Sequence, residues 1–171
     1  MQRRKFLLGA GSLAAAGAAA TGTGAVNYFR AERSMNVSTA NDSNAFIQLV
    51  STSPYASESA NGTLQLNFNQ DSNVGGEGLN KNADSRIDGV FEIRNRGGTG
   101  MGFWIDDGGS SAVEFFEEQN SSYPTMESSG DAVPVGPGES VGVTIAFLLQ
   151  ENSYSDVPNE ITIAADESQY P

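Results

Sequence analysis

Carboxylates are the only side chains in this sequence whose type and spacing suit acid–base chemistry. Asp106 and Asp107 follow a short apolar run, and Glu114, Glu117 and Glu118 come soon after it. Two such carboxylates can serve as the acid and base of a glycosidase. However, the 21 Asp and Glu residues are scattered along the chain, so a few acids close together carry little information. We therefore expect a protein that is not an enzyme.

Two residue types that carry much of catalytic and metal chemistry are absent, because the sequence contains neither histidine nor cysteine. Without histidine there is no Ser-His-Asp arrangement, and the commonest general base near neutral pH and the usual zinc and copper ligands are missing. Without cysteine there is no disulfide and no thiolate nucleophile. We expect no cofactor other than a hard cation.

A calcium site is the remaining chemical interpretation, and it falls in the long polar segment 71–88. The segment begins like an EF-hand loop, but Asn82 occupies the twelfth position, where a bidentate Glu is needed, and no helices flank it. An irregular, oxygen-lined calcium site is the alternative to a solvated loop. Its candidate ligands are Asp71, Asn73, Glu77, Asn80 and Asp84.

Residues 1–25 are typical of a helical export signal. Arg3 and Arg4 stand just before the apolar Phe6 and Leu7, and a weakly hydrophobic Ala/Gly run follows. This pattern resembles a twin-arginine (Tat) signal, so the Tat translocon and a signal peptidase are the expected partners during export. A retained anchor is the alternative, although the run is shorter than the ~20 apolar residues a span needs. We predict a secreted or cell-surface protein with no stable membrane span after cleavage.

The charge of the remaining chain, residues 26–171, excludes some partners. Three of the nine basic residues lie in the leader and all 21 acidic residues lie beyond it, so six basic residues face 21 acidic ones, a formal charge of −15. Such a surface repels nucleic acid and anionic lipid. Many acids and only two lysines resemble proteins of salt-loving archaea, and an acidic mesophilic secreted protein is the alternative.

Short runs in which every second residue is apolar predict strands in a single domain, residues 26–171. Residues 91–93 and 101–105 flank the glycine-rich segment 95–100 and predict a β-hairpin. Residues 141–149 predict a central strand, because the second face of that run is small and mostly uncharged. Further strands are predicted at 35–39, 45–50, 64–68, 113–116 and 161–163. About eight strands predict an all-β fold, an antiparallel β-sandwich of the jelly-roll or immunoglobulin-like type.

Four Asn-X-Ser/Thr sequons are possible N-glycosylation sites, at Asn36, Asn41, Asn61 and Asn120. Between two and three sequons are expected by chance from the asparagine, serine and threonine content. The excess is therefore mild.

Several stretches after the arginine-pair leader carry a family resemblance. They are AERS at 31–34, ANDSNA at 40–45, GEGLN at 76–80, VFEIRNRG at 90–97 and GFWI at 102–105. Together they resemble haloarchaeal exported proteins of the domain-of-unknown-function 1102 family. That family is distantly similar to the TasA and camelysin group of filament-forming biofilm-matrix proteins.

The resemblance to the TasA group implies a jelly-roll-like subunit whose segment after the leader inserts as a donor strand into the next subunit. Met35, Val37 and Thr39 are the candidate donor residues, because they alternate with polar ones. A neighbouring sheet would gain ladder hydrogen bonds and cover their apolar face. We expect a structural protein that binds itself or other surface proteins. The alternatives are a strand paired within its own domain and a monomeric binding module for calcium or glycan.

Overall fold

The computed structural model describes residues 34–39, 46–58, 63–69, 78–118 and 124–171. Within these ranges the chain forms strands and short 3-10 turns and no α-helix, so the predicted all-β class is confirmed. The strands are β1 (Ser34–Thr39), β2 (Ile47–Ser51), β3 (Ala56–Glu58), β4 (Leu64–Asn67), β5 (Ser85–Asn95), β6 (Met101–Asp106), β7 (Val113–Glu117), β8 (Val133–Val135), β9 (Ser140–Phe147) and β10 (Glu160–Asp166). The 3-10 turns are Ser129–Asp131, Tyr154–Asp156 and Glu167–Gln169.

The strands form two sheets that enclose one core. The six-stranded sheet has the order β3-β4-β1-β10-β6-β8, and the four-stranded sheet has the order β2-β5-β9-β7. Neighbouring strands are antiparallel except for β1 and β10, which run parallel. Buried apolar side chains of both sheets belong to a single cluster, as expected for a β-sandwich.

The predicted hairpin is wrong, because its two strands lie in different sheets. β5 belongs to the four-stranded sheet and β6 to the six-stranded one, so residues 96–100 cross between the sheets. The amide of Asn95, a fully buried side chain, fixes this crossing: Nδ2 donates to the carbonyls of Thr99 (2.7 Å) and Val135 (3.0 Å), and Oδ1 accepts from the Gly97 amide (2.9 Å). Alternation correctly showed that each strand buries one face, but both faces point into the same core from opposite sides.

Three stretches where no strand was predicted form strands. β5 begins at Ser85, inside the predicted loop 71–88, and a register shift between Ile87 and Phe91 accommodates Gly89 at a φ of +59°. β3 and β8 have three residues each, too few for a period-two pattern to be recognised. The number of strands in the described residues is therefore ten rather than about eight.

β9 lies between β5 and β7 in the four-stranded sheet, as predicted for a central strand. Its inward residues Val143, Ile145 and Phe147 are fully buried, and so is Thr144 on the opposite face. A small second face therefore correctly indicated a strand covered on both sides. The described part of the chain contains no helix with the length and apolar character that a membrane crossing requires.

Candidate functional site

β1, the first strand of the described residues, occupies an inner position of the six-stranded sheet. It pairs antiparallel with β4, where Met35 faces Leu66 and Val37 faces Leu64. On its other side it pairs parallel with β10, where Val37 faces Ile161 and Thr39 faces Ile163. The position between β4 and β10, here called the β1 slot, thus receives a strand from the very start of the sandwich.

Burial shows what β1 contributes to the β1 slot. Met35 is 1% exposed and belongs to the core cluster. The facing residues Leu64, Leu66, Ile161 and Ile163 are likewise buried. Burying a side chain of this size is worth about 1.5–3 kcal/mol, and both flanking strands would present unpaired backbone without β1. The β1 slot must therefore be filled by some strand for the sandwich to be complete.

In this single molecule the β1 slot is filled by the chain's own β1. This is the arrangement given above as the alternative to donor-strand exchange, a strand paired within its own domain. Thr39 ends β1, and β2 begins at Ile47 in the other sheet. The backbone register of Val37 and Thr39 is as given above, while among side chains of β1 the structure describes that of Met35. Two of the three candidate donor residues are thus known by backbone position alone.

The carboxylates singled out for acid–base chemistry divide between two places. Asp107 and Glu114 lie near Glu127 and Asp131, two acids that sequence reasoning did not single out. Glu118 instead lies over the four-stranded sheet, where a Cβ on Gly89 would meet its Oε1 at 2.7 Å. Acids are so frequent in this chain that no pattern distinguished Glu127 from the rest.

Glu127 has the most perturbed environment of the first group, here called the Glu127 cluster (Asp107, Glu114, Glu127 and Asp131). Burial raises the pKa of the Glu127 carboxyl above its ordinary 4.5, and the negative charges of Asp107, Glu114 and Asp131 add to the rise. The hydrogen bond from the Phe115 amide to Glu127 Oε1 (3.0 Å) acts in the opposite direction. That bond holds the segment of Glu127 against β7, which is a structural role.

The Glu127 cluster contains one unsatisfied acceptor. Asp107 Oδ1 accepts from the Gly109 amide (2.9 Å), while Oδ2 is buried without a hydrogen-bond partner among the described residues. Within the same ranges, no group of three His, Cys, Asp or Glu side chains is arranged to hold a metal ion. The Glu127 cluster therefore packs against β7 through the bond from the Phe115 amide to Glu127, and its side chains are not arranged around a common point as cation ligands would be.

A cavity of about 260 Å³ lies elsewhere, between the start of β5 and residues that flank β3 and β4. Its aromatic wall is formed by Tyr55 and Phe68, whose ring centroids are 5.5 Å apart and stacked. Leu79 and Ile87 add apolar surface, and the polar lining comes from Asn69, Asn80 and Ser85. Sequence reasoning missed this site because its residues come from four separate segments.

Comparison with known proteins places the matched region beside the β1 slot. Residues 39–169 match the family described as "Protein of unknown function (DUF1102)". The chain belongs to the DUF1102 family. The matched region begins at the last residue of β1, so it covers β2 to β10 and excludes nearly all of the strand that fills the β1 slot. No curated protein and no solved structure matches this DUF1102 chain.

The calcium candidates of this DUF1102 chain divide at the edge of the described residues. Asp71, Asn73 and Glu77 lie outside them. Asn80 Oδ1 accepts from the Asn82 amide (3.1 Å), and Asp84 Oδ1 accepts from the Gln150 amide (3.0 Å). Both described candidates thus use a side-chain oxygen to fix loop backbone.

Most of the export and glycosylation candidates also lie outside the described ranges. These are Arg3, Arg4, Phe6 and Leu7 of the leader and Asn41, Asn61 and Asn120 of the sequons. Asn36 is described and lies in β1, where its backbone is in register with Gln65 and Glu160. Glycosylation of Asn36 would therefore modify an inner strand.

Proposed function

We propose that this DUF1102 chain is an exported, non-catalytic structural subunit that assembles into filaments by placing β1 in the β1 slot of a neighbouring copy. The observation that carries the proposal is the position of β1: an inner strand, with Met35 buried, that follows the predicted export leader in the sequence. The match of the family to residues 39–169 supports treating β2 to β10 as one unit and β1 as an addition to it.

Exchange of β1 between copies needs no new contact surface. The strand would make the same ladders with β4 and β10 of a neighbour that it makes with its own, as in domain swapping. Residues 40–45, which connect β1 to Phe46, span at most about 20 Å when extended. The free energy of the contacts is unchanged, so protein concentration and the geometry of this connection decide between the two arrangements.

Exchange in one direction produces an open assembly. Each copy donates one β1 and has one β1 slot, so the contacts are head-to-tail, and head-to-tail contacts that do not close a ring form filaments. The leader with Arg3 and Arg4 supports delivery through the Tat translocon, and the formal charge of −15 suits a surface protein in high salt, where counterions screen repulsion between subunits. The absence of histidine and cysteine supports a non-catalytic role.

Cysteine cross-linking between copies tests the exchange, because the natural chain has no cysteine. Residues 36 and 65 are register partners on β1 and β4. We expect Asn36→Cys protein, refolded together with Gln65→Cys protein at molar salt, to form disulfide-linked pairs, since each pair requires β1 of one copy beside β4 of another. Electron microscopy of the unmodified protein should show filaments.

The matched control replaces Gln65→Cys by Ser129→Cys, an exposed position outside the β1 slot. Cross-linking equal to that control, together with strictly monomeric protein in sedimentation, would contradict strand exchange. Filaments that persist after deletion of residues 26–39 would contradict it as well.

A binding module for glycan is the second candidate, favoured by the cavity beside Tyr55 and Phe68. The half-buried Tyr55 ring, stacked on the buried Phe68 and next to amide and hydroxyl groups, suits a sugar ring. We expect Tyr55→Ala to abolish any glycan binding found on an array while leaving the cross-links between residues 36 and 65 intact. Glycan binding that survives Tyr55→Ala would exclude this cavity as the site.

A further inference from the structure

The two sheets have four outer strands, and each presents backbone groups that another strand could pair with. They are β3 and β8 in the six-stranded sheet and β2 and β7 in the four-stranded sheet. Natural proteins protect such edges with short strands, proline, charged residues or a covering segment. Comparing the four edges shows which one is left open.

Three of the four edges are protected. β3 has three residues, of which Ser57 and Glu58 are exposed. β8 also has three, and its central Pro134 has no amide hydrogen to donate. The outer edge of β7 is covered, because the Met126 amide donates to the Phe115 carbonyl (2.9 Å) and Thr125 bridges Phe116.

Among the residues that the structure describes, β2 shows none of these protections. Its five residues, Ile-Gln-Leu-Val-Ser, include no charge, no proline and no glycine, and all five are partly exposed. β5 pairs with one side of the strand, from Ile47 opposite Asn95 to Ser51 opposite Phe91. In the described ranges no strand pairs with the other side. Phe46, just before β2, is 55% exposed.

The charges around β2 also favour contact with another copy. Of the four basic residues in the described ranges, Arg94 and Arg96 lie beside this strand. Arg94 is paired with Glu92 (2.8 Å), and Arg96 Nη1 donates to Gln48 Oε1 (2.8 Å). The charged residues named here, two cations and one anion, leave this edge without the net negative charge of the chain as a whole, so repulsion between two copies is weaker here.

We propose that β2 is the edge at which a second copy of this chain pairs, the two β2 strands running antiparallel about Leu49 to form one eight-stranded sheet. A two-fold axis at Leu49 places Gln48 opposite Val50 of the other copy and Ile47 opposite Ser51. Because Gln48 faces Arg94 and Val50 faces Glu92 within each copy, the two rows through residues 48 and 50 of the joined sheet then each carry one cation and one anion. This lateral contact is separate from the exchange of β1.

Register-specific cross-linking tests the pairing. Gln48→Cys mixed with Val50→Cys should form disulfide-linked dimers on the outer face of the sheet, where cross-strand Cβ atoms come within disulfide distance. Each variant alone should cross-link no more than background, because the two-fold axis never places residue 48 opposite itself. Mixing Gln48→Cys with Gln65→Cys, an exposed position on an inner strand, measures that background.

A charge on the edge gives an independent readout that does not require cysteine. Val50→Lys faces Glu92 within its own copy, which favours folding. In the dimer the new lysine shares a row with Gln48 and Arg94 of the other copy, and the two-fold axis repeats this approach of like charges once more. We expect the lateral dimer to weaken about tenfold in sedimentation equilibrium. Gln65→Lys, the matched control, should leave the dimer unchanged.

The outcomes separate this contact from strand exchange. Loss of the 48–50 cross-link in Val50→Lys protein that still forms the 36–65 cross-link supports two independent contacts. Equal cross-linking of Gln48→Cys with itself, cross-linking of 48 with 50 no stronger than background, or a dimer unaffected by Val50→Lys overturns the proposal, whether or not filaments form.

Discussion

The first strand, β1, and the segment that follows the last strand, β10, are both attached to the six-stranded sheet, but by different kinds of contact. β1 is held by backbone ladders to β4 and β10 and by burial of Met35. The C-terminal segment, Glu167–Gln169 and Tyr170, is held by close approach to two glycines. A Cβ on Gly100 would lie 2.5 Å from the Tyr170 ring, and one on Gly102 would lie 2.5 Å from Gln169 Cβ.

The difference decides which end another molecule can replace. Ladder hydrogen bonds are made by any extended segment of suitable polarity, so β1 can come from its own chain, from a second copy or from a peptide. The C-terminal segment also has the Thr99 hydroxyl donating to Glu167 and depends on the absence of side chains beneath it. These contacts depend on a close fit of particular side chains against Gly100 and Gly102, and we expect a separate peptide not to reproduce them.

Deletion of residues 26–39 from protein produced without residues 1–25 should have the largest effect and separates the two ends most clearly. The chain loses both ladders of the β1 slot and the buried Met35, so we expect no cooperative thermal unfolding. A synthetic peptide of residues 26–39 added in trans should restore a cooperative transition in circular dichroism, with a melting temperature that rises with peptide concentration.

The control peptide carries Met35→Asp, which would bury a charge, and should restore nothing. Deletion of residues 167–171 should destabilise the chain without rescue by a peptide of that segment. A deletion variant that melts like the complete chain without peptide would contradict the requirement for β1.

The Asn95→Ala substitution should have the next largest effect, and it acts on the loop that contacts the C-terminal segment. It removes two donors and one acceptor from a fully buried position and releases the loop that carries Gly100 beneath Tyr170. We expect a loss of about 4 kcal/mol in urea unfolding, since each unsatisfied buried group costs about 1–3 kcal/mol. Asn95→Asp, which loses both donors and sets a carboxylate against the carbonyl oxygens of Thr99 and Val135, should cost at least as much as Asn95→Ala. A loss below about 1 kcal/mol would show that Asn95 does not fix the crossing between the sheets.

Alternating patterns predicted most of the strands because they report burial of one face, and β4, β6 and β10 follow those patterns. The same patterns do not say which sheet a strand joins. The hairpin predicted over residues 91–105 failed for this reason, because the bonds of Asn95 to Thr99 and Val135 direct the chain across the core. Those bonds join residues up to 40 positions apart.

The candidate sites show a similar limit. The sequence correctly indicated a strand at residues 35–39, but its parallel pairing with the last strand depends on the whole topology. Glu127 is one of many acids, and its raised pKa depends on burial against β7. The open edge of β2 is visible only after the other three edges are seen to be protected. Such properties arise from several segments together and leave no local signature.

Gly102→Ala tests the close approach of the C-terminal segment directly. The added Cβ would lie 2.5 Å from Gln169 Cβ and 2.9 Å from its carbonyl oxygen, so the segment must move. We expect a loss of about 2 kcal/mol in urea unfolding, within the usual range for overpacking. Gly98→Ala is the matched control, because nothing lies within 4 Å of its Cβ position. Equal stabilities of the two variants would contradict the proposed difference between the ends.

Glu127→Gln should have the smallest effect and changes neither end. Because burial raises the folded-state pKa above 4.5, the neutral carboxyl favours the fold; this stability is fully present below the unfolded pKa and is lost as pH rises through the folded one. The substituted amide stays neutral at every pH and keeps a carbonyl acceptor for the Phe115 amide. We therefore expect the variant to have a slightly higher melting temperature than the natural protein at pH 7. The gain in free energy of unfolding should be less than about 1 kcal/mol, since the site is partly solvated.

The advantage of Glu127→Gln should disappear near pH 4, where the natural carboxyl is also protonated, in melting curves taken across this range at constant salt. Glu139→Gln is not a suitable control, because Glu139 Oε2 accepts from the Gly136 amide (2.9 Å); Glu151→Gln, at an exposed turn, is suitable and should show no such dependence. A stability difference that does not change with pH would assign the effect to packing rather than to ionisation of Glu127. Peptide rescue of the β1 deletion should persist in the Glu127→Gln background, because occupancy of the β1 slot depends on β4 and β10 rather than on the β7 edge.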